Sequence, residues 1–211
     1  MFPKPPVEGH LHIIAWHEHL SNVFTDMRSS TSPSSAAVIT AENIRNIEKD
    51  QKNSEKAIMN GRPRSAEEAI PVALLHPILA QFVKDCKDLE PTKDDNSLVL
   101  TLLQEMPKLF QLEANRVEKV KEIFKNAGIE LDPGHINRYT VDLCRESRNS
   151  PYHDFSFIME VKVELGSTNS EPYFEACFYY NEANRAYFDK KGNRSNARRP
   201  CLLMILTGES L

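Results

Sequence analysis

The chain has 211 residues, of which 40% are hydrophobic and 27% are charged, and its formal net charge is −4. This length suits one domain of ordinary size with a loosely ordered extension. The negative net charge excludes a global electrostatic attraction to nucleic acid, so any such contact must come from a local basic patch. No stretch approaches the roughly 20 consecutive apolar residues of a membrane span. Four scattered cysteines and an N-terminus without a signal-peptide core predict an intracellular, reducing compartment, the cytoplasm or the nucleus.

Residues 1–65 are predicted to form a weakly structured polar extension that contains one helix. The Ser-rich run at residues 29–35 cannot bury enough apolar surface to offset the entropy lost on ordering it. A helix is predicted after Thr40, because a threonine hydroxyl can cap the free amides of a first turn. This helix is expected to end near Gly61, since glycine favours the left-handed conformation at a helix C-terminus.

Residues 66–211 are predicted to form the structured domain, which begins with helices. Ser65 and Glu68 have the spacing of a capping box. Apolar residues recur at helical spacing from Pro77, over residues 98–110 and over residues 113–126. A linker is predicted at residues 90–96, and the last of these helices is expected to end at Gly128.

The second half of this domain changes to strand patterns. The triplet Asp132-Pro133-Gly134 has the composition of a turn. Residues 137–145 and 154–165 are predicted to form a hairpin, and residues 171–188 a helix. The apolar run 201–206 is predicted to be a buried strand. This order predicts an α/β (α+β) fold with a small mixed sheet and a helical N-terminal layer.

The stretch Glu160-Val161-Lys162 carries the strongest chemical signal. Residues i and i+2 of a strand project to the same face, so Glu160 and Lys162 point the same way, and Asp142 on the partner strand can approach them. A magnesium-dependent phosphodiesterase needs these groups: carboxylates hold the ion, and lysine orients or deprotonates the attacking water and neutralises developing charge. The alternative is a surface strand with charges on its solvent face. An apolar run precedes Glu160 and Lys162, and this disfavours the interpretation that the two charges lie on a solvent-exposed face without a function.

Four short segments carry a combined motif. They are HPIL at residues 76–79, MEVKVELG at 159–166, EPYFEA at 171–176 and PCLL at 200–203. The matching patterns are H-P-[IV]-L, E-[VF]-K-N-E-[IL]-G, D-P-Y-x-Q-A and C-P-x-F-L-L. Together, over residues 76–208, the segments resemble a fungal group of the PD-(D/E)XK nuclease superfamily. Several members of this group belong to Crinkler-type effector architectures or lie near kinase-like domains.

The resemblance implies a restriction-endonuclease-like core and metal-dependent cleavage of nucleic-acid phosphodiesters, with Mg²⁺ or Mn²⁺ as cofactor. Asp142 and Glu160 would bind the metal and Lys162 would be the catalytic lysine. Glu175 and Tyr179 match the spacing of the supporting Q-x-x-x-Y motif of RecB-like members, one helical turn apart. A basic loop follows this helix, and it is predicted either to contact the nucleic-acid backbone or to be a plain solvated loop. Its residues are Lys190, Lys191, Arg194, Arg198 and Arg199.

Departures from the pattern of the fungal group leave two alternatives open. Glu175 stands where the group has glutamine, and Val141-Asp142-Leu143 stands where it has T-D-G. Members of the group also continue into a further strand beyond the position of Gly208. The first alternative is a catalytically degenerate nuclease-fold module that acts by binding or as an effector. The second is a fragment of a larger fungal protein without independent activity.

Overall fold

A computed structural model describes residues 32–52, 72–146, 154–162, 169–191 and 199–208. For residues 51, 72, 75 and 188–191 the description covers the backbone alone. The predicted helix end at Gly61 and the predicted capping pair Ser65 and Glu68 lie outside the described residues.

The described residues combine helices with one four-stranded mixed sheet, which confirms the predicted mixture of helix and strand. The sheet order is β1-β2-β3-β4, with β1–β2 and β2–β3 antiparallel and β3–β4 parallel. The elements are α1 (Pro33–Ala36), α2 (Ala41–Lys52), α3 (Val72–Leu75), α4 (Pro77–Asp88), α5 (Lys93–Glu105), α6 (Glu113–Asn126), β1 (Asp132–Ile136), β2 (Tyr139–Glu146), β3 (Phe155–Lys162), α7 (Pro172–Lys191) and β4 (Leu202–Thr207).

Local signals set the ends of several helices. The α2 helix begins where predicted, because the Asn43 amide donates to Thr40 Oγ1 at 3.1 Å. The α6 helix has the predicted bounds and is followed by Gly128 at φ +78°. In contrast, α5 begins five residues earlier than predicted, and the predicted linker at 90–96 is wrong in its second half. Thr92 and Asp95 form a capping box there, in which each side chain accepts the other residue's amide hydrogen.

The first strand lies where a turn was predicted. Residues 132–136 pair with β2, and the chain reverses at Asn137, whose φ of 55° lies in the left-handed region that asparagine tolerates. A Cβ at Gly134 would lie 2.3 Å from Cys144 Sγ, so glycine permits the close approach of the two strands. Pro133 is tolerated because β1 pairs with β2 alone among the strands that the structure describes.

Among the described helices, α6 packs on one face of the sheet and α7 on the other. The α6 helix packs Val120 and Ile123 against Leu143, Met159 and Val161. The α7 helix covers the opposite face, where the buried cluster consists of Ile136, Val141, Cys144, Phe155, Ile158, Tyr179 and Ala183. The core therefore has two layers, separated by the central strands β2 and β3.

The last strand is an edge strand, so its predicted full burial is wrong. Most side chains of β4 are half-buried and Leu203 is exposed. The reason is that, among the described residues, β4 pairs with β3 alone and is covered mainly by α7. None of the described helices has the length and apolarity needed to cross a membrane.

Candidate functional site

The two charged residues of β3 lie inside the molecule. Glu160 is 1% exposed and Lys162 is 6% exposed, and β3 is buried without interruption from Ile158 onwards. The alternative of a surface strand that shows its charges to solvent is therefore wrong. Charged side chains at such depth need partners, because an isolated ion is far less stable here than in water.

Lys162 Nζ is the centre of a cluster built from three elements. It lies 3.4 Å from Glu160 Oε2 on β3 and 3.3 Å from Glu175 Oε2 on α7. A third carboxylate, Glu113 Oε1 at the start of α6, lies 3.2 Å from it. The sequence analysis missed Glu113, since an acidic residue in a first helical turn is already explained by the helix dipole. Packing of α6 and α7 on opposite faces brings these groups to the end of β3.

Asp142 reaches the same region through an irregularity in the sheet. Asp132 pairs with Cys144 and Gly134 with Val141, so two steps along β1 face three along β2. This is a β-bulge in β2, and such bulges redirect side chains. The β2–β3 ladder ends one residue away from Asp142, whose Oδ2 instead accepts the amide hydrogen of Val161 at 2.9 Å. The carboxylate thus takes the place of a backbone acceptor where the two strands separate.

The supporting pair on α7 lies beside the cluster. Glu175 is buried, and its Oε2 lies 3.0 Å from the hydroxyl oxygen of Ser170, a second residue that the sequence analysis did not single out. Tyr179 is buried one turn further along the helix. Burial raises the pKa of Tyr179, and the neighbouring carboxylates of Glu160 and Glu175 raise it further. Tyr179 is therefore a neutral hydroxyl at physiological pH.

The cluster contains more carboxylates than cations. Burial, together with the nearby charges of Asp142 and Glu175, raises the pKa of Glu160 to about 9 against the attraction of Lys162. Burial also raises the pKa of Asp142. For Lys162, burial lowers the pKa, but the carboxylates of Glu175, Glu160, Asp142 and Glu113 together shift it upward overall. Lys162 is therefore an ammonium at neutral pH, and Glu160 holds a proton.

The chemistry of these side chains fits a hard divalent cation. Glu160 Oε1 is buried without a hydrogen-bond partner among the described residues, and carboxylate oxygens are the ligands that Mg²⁺ and Mn²⁺ prefer. In the described arrangement no three acidic, histidine or cysteine side chains are grouped closely enough to hold an ion. The ammonium of Lys162 contacts the carboxylates instead.

A buried arginine, Arg116, holds the backbone at the end of β3. Arg116 Nη1 donates to the Lys162 carbonyl at 3.3 Å, and its guanidinium lies over the Phe110 ring at 4.9 Å from the centroid. The amide of Gly208 donates to the same carbonyl at 3.2 Å. A side chain at Gly208 would meet the guanidinium, since a Cβ there would lie 1.7 Å from Nη1. These contacts hold the backbone that carries Lys162.

The predicted nucleic-acid contacts are described for one residue only. The side chains of Lys190 and Lys191 and all of Arg194 and Arg198 lie outside the described residues. The side chain of Arg199 is 7% exposed and points inward: Nε lies 2.6 Å from Asp154 Oδ1, and Nη1 donates to Asn184 Oδ1 at 3.1 Å. Its guanidinium also lies 4.2 Å from the Tyr187 ring centroid. This arrangement gives Arg199 an internal structural role.

No family model matches the chain, and neither a curated protein nor a solved structure is similar to it at the accepted significance limit. The resemblance carried by the four short segments therefore stays a prediction. The buried cluster itself is the feature of the described residues that points to a function.

Proposed function

We propose that the chain is a metal-dependent, nuclease-like module with a restriction-endonuclease-like core that acts on nucleic-acid phosphodiesters. The observation that carries this proposal is the convergence of Glu160, Lys162 and Glu175 at the end of β3, with Asp142 at the adjoining bulge. Strongly shifted pKa values at a group of buried charges are typical of functional sites. A buried cluster with this charge imbalance stabilises a fold less effectively than apolar side chains of similar volume, so stability alone does not explain it.

Each residue has a role that follows from its chemistry. Asp142 and Glu160 would hold Mg²⁺ or Mn²⁺, with Glu175 as a further oxygen donor. When bound, the ion supplies a Lewis acid for the scissile phosphate. The raised pKa of Lys162 keeps this residue protonated. It therefore serves to orient the phosphate and to stabilise negative charge in the transition state, rather than to accept a proton from water.

Cleavage of nucleic acid by the purified protein tests the proposal. Plasmid and single-stranded DNA and RNA are incubated with Mn²⁺, with and without chelator. Glu160→Gln removes the proposed ligand while keeping the shape of the side chain, and Glu122→Gln makes the same change at an exposed site on α6. We expect chelator-sensitive cleavage by the wild type and by Glu122→Gln, and none by Glu160→Gln. Equal cleavage by all three proteins would contradict the assignment.

A degenerate nuclease-fold binding module is the second candidate. It is favoured by the contacts of Lys162, whose ammonium is satisfied by carboxylates in a buried cluster. The two candidates differ in whether the folded protein binds a metal ion. A ligand that binds the folded state alone stabilises it by about 2.7 kcal/mol at one hundred times its Kd, so metal binding can be detected as a gain in stability. An increase in Tm with millimolar Mn²⁺, absent in Glu160→Gln, supports the metal site. Nucleic-acid binding without this increase and without cleavage supports the binding module.

A further inference from the structure

Residues 32–39, which we name the N-terminal strap, lie along the segment that precedes α7. Val38 pairs with Ser170 in an antiparallel bridge. The amide of Ile39 donates to the Asn169 carbonyl at 2.6 Å, and the amide of Glu171 donates to the Ala37 carbonyl at 2.9 Å. Ala37 is 1% exposed, and the α1 turn within the strap packs against α7. The strap is thus docked on the element that carries Glu175.

A chain of polar contacts joins the strap to the carboxylate–lysine cluster. The hydroxyl oxygen of Ser170 lies 3.2 Å from the Ser34 carbonyl in the strap and 3.0 Å from Glu175 Oε2. The same oxygen of Glu175 lies 3.3 Å from Lys162 Nζ. Ser170 is itself buried. Displacement of the strap would therefore change the surroundings of Ser170 and of the carboxylate that holds the lysine.

The cluster is closed in the described arrangement. Glu160, Lys162 and Glu175 are each buried, whereas a phosphodiester oxygen has to come within about 3 Å of the ammonium to accept a hydrogen bond from it. Some element must move before a polymer substrate can enter.

Among the described elements that contact the cluster or its bonding partners, the strap is the one whose release disturbs the core least. The α6 helix is fixed by five buried side chains, and α7 carries Ala176, Cys177, Tyr179 and further buried residues. Within the strap, Pro33 and Ala37 are the buried residues among those described. Local opening occurs most readily in the parts of a fold that have few buried apolar contacts.

We propose that the N-terminal strap closes the carboxylate–lysine cluster and that its release admits the phosphodiester to Lys162. The identity of the substrate rests on the proposed function. The closure rests on the contacts of the strap and can be tested without any catalytic activity.

The test measures how fast an amine-acylating reagent modifies Lys162 in the full chain, by mass spectrometry, with exposed Lys87 as internal reference. Ala37→Asp places a charge at a buried position of the strap, and Ile39→Asp places the same charge at a position that is 56% exposed. We expect acylation of Lys162 to be about tenfold faster in Ala37→Asp, because the buried charge favours the released strap. Ile39→Asp is expected to match the wild type.

A second, less disruptive variant keeps the test valid if Ala37→Asp unfolds the protein. Asn43 Nδ2 donates to the Val38 carbonyl at 2.9 Å and to the Ser35 carbonyl at 3.1 Å, so Asn43→Ala removes two contacts that hold the strap while favouring helix α2. We expect faster hydrogen exchange at the Glu171 amide together with faster acylation of Lys162. Unchanged exchange in both variants, or faster exchange with unchanged acylation, would overturn the closure.

Cleavage assays on the same proteins separate the two proposals. If acylation of Lys162 rises in the released variants and none of the proteins cleaves nucleic acid, the closure stands and the nuclease assignment fails. If the wild type cleaves and acylation is the same in all variants, the nuclease assignment stands and the closure fails.

Discussion

Replacement of Glu160 by glutamine is expected to stabilise the protein at pH 8, although it changes the group that contacts the Lys162 ammonium. Two effects compete at this position. Burial and the charges of Asp142 and Glu175 favour the protonated carboxyl, whereas Lys162 at 3.4 Å favours the carboxylate. The pKa of Glu160 is raised to about 9, so the first effect dominates. Glutamine keeps the size of the side chain and removes the titration.

The size and sign of the effect follow from this pKa. The folded protein binds the Glu160 proton more tightly than the unfolded chain does, whose value is near 4.5. The stability that this group contributes is present below pH 4.5 and is lost as the pH rises towards 9. At about 1.4 kcal/mol per pH unit, the loss between pH 4.5 and pH 8 is on the order of 5 kcal/mol. Loss of the contact with Lys162 offsets part of the gain, so we expect Glu160→Gln to gain roughly 2 kcal/mol at pH 8.

Thermal unfolding at several pH values between 5 and 8 measures this effect. For a chain of this length a gain of 2 kcal/mol corresponds to an increase in Tm of about 4–8 °C. The difference between Glu160→Gln and the wild type should shrink as the pH falls towards 5, and Glu122→Gln should show no such trend. A variant that is less stable than the wild type, by an amount that grows with pH, would refute the reasoning. It would mean that Glu160 is ionised and that its pairing with Lys162 is the larger effect.

Two further substitutions test the contacts around the cluster. Lys162→Met leaves the buried carboxylate of Glu175 without its cation, and we expect a loss of about 3–5 kcal/mol in urea unfolding at pH 8, smaller at pH 5. An unchanged midpoint would show that the cluster opens readily to solvent. Arg199→Lys cannot reproduce the inward contacts of the guanidinium with Asp154 and with α7, and we expect a loss of about 1–3 kcal/mol. A weaker affinity for nucleic acid at unchanged stability would instead show that Arg199 contacts phosphate.

The parts of the fold that the sequence predicted well depend on local signals. Thr40 caps α2, Pro77 begins α4 and Gly128 follows the end of α6. The capping box of Thr92 and Asp95 is equally local. The predicted start of α5 was nevertheless too late, because it was based on the apolar periodicity, which begins only at residue 98. The turn composition at residues 132–134 was misleading, because proline and glycine are also suited to an edge strand that approaches its neighbour closely.

The candidate site was predictable only where spacing along one element was enough. The i, i+2 rule placed Glu160 and Lys162 on one face of β3, the predicted hairpin brought Asp142 towards them, and the resemblance singled out Glu175. Glu113 comes from a helix on the other side of the sheet, and no pattern in its own segment distinguishes it from an ordinary first-turn acid. Ser170 likewise depends on the docking of the strap, which the weak apolar content of residues 29–35 gave no reason to expect. Tertiary packing decides both contacts.

The ammonium of Lys162 and the proposed divalent cation would both supply positive charge to the same acidic side chains. In the closed arrangement the lysine contacts Glu160 and Glu175, and no set of acidic groups among the described residues is free to surround an ion. Entry of the proposed ion would therefore require these side chains to turn away from Lys162, and a turn of Glu175 would change its contact with Ser170. If both proposals hold, release of the strap and binding of the metal would favour each other by linkage. In the closed arrangement the single charge of Lys162 does not compensate for the burial of Glu160 beside Asp142 and Glu175. A bound divalent ion in an open arrangement would add the positive charge that is missing there.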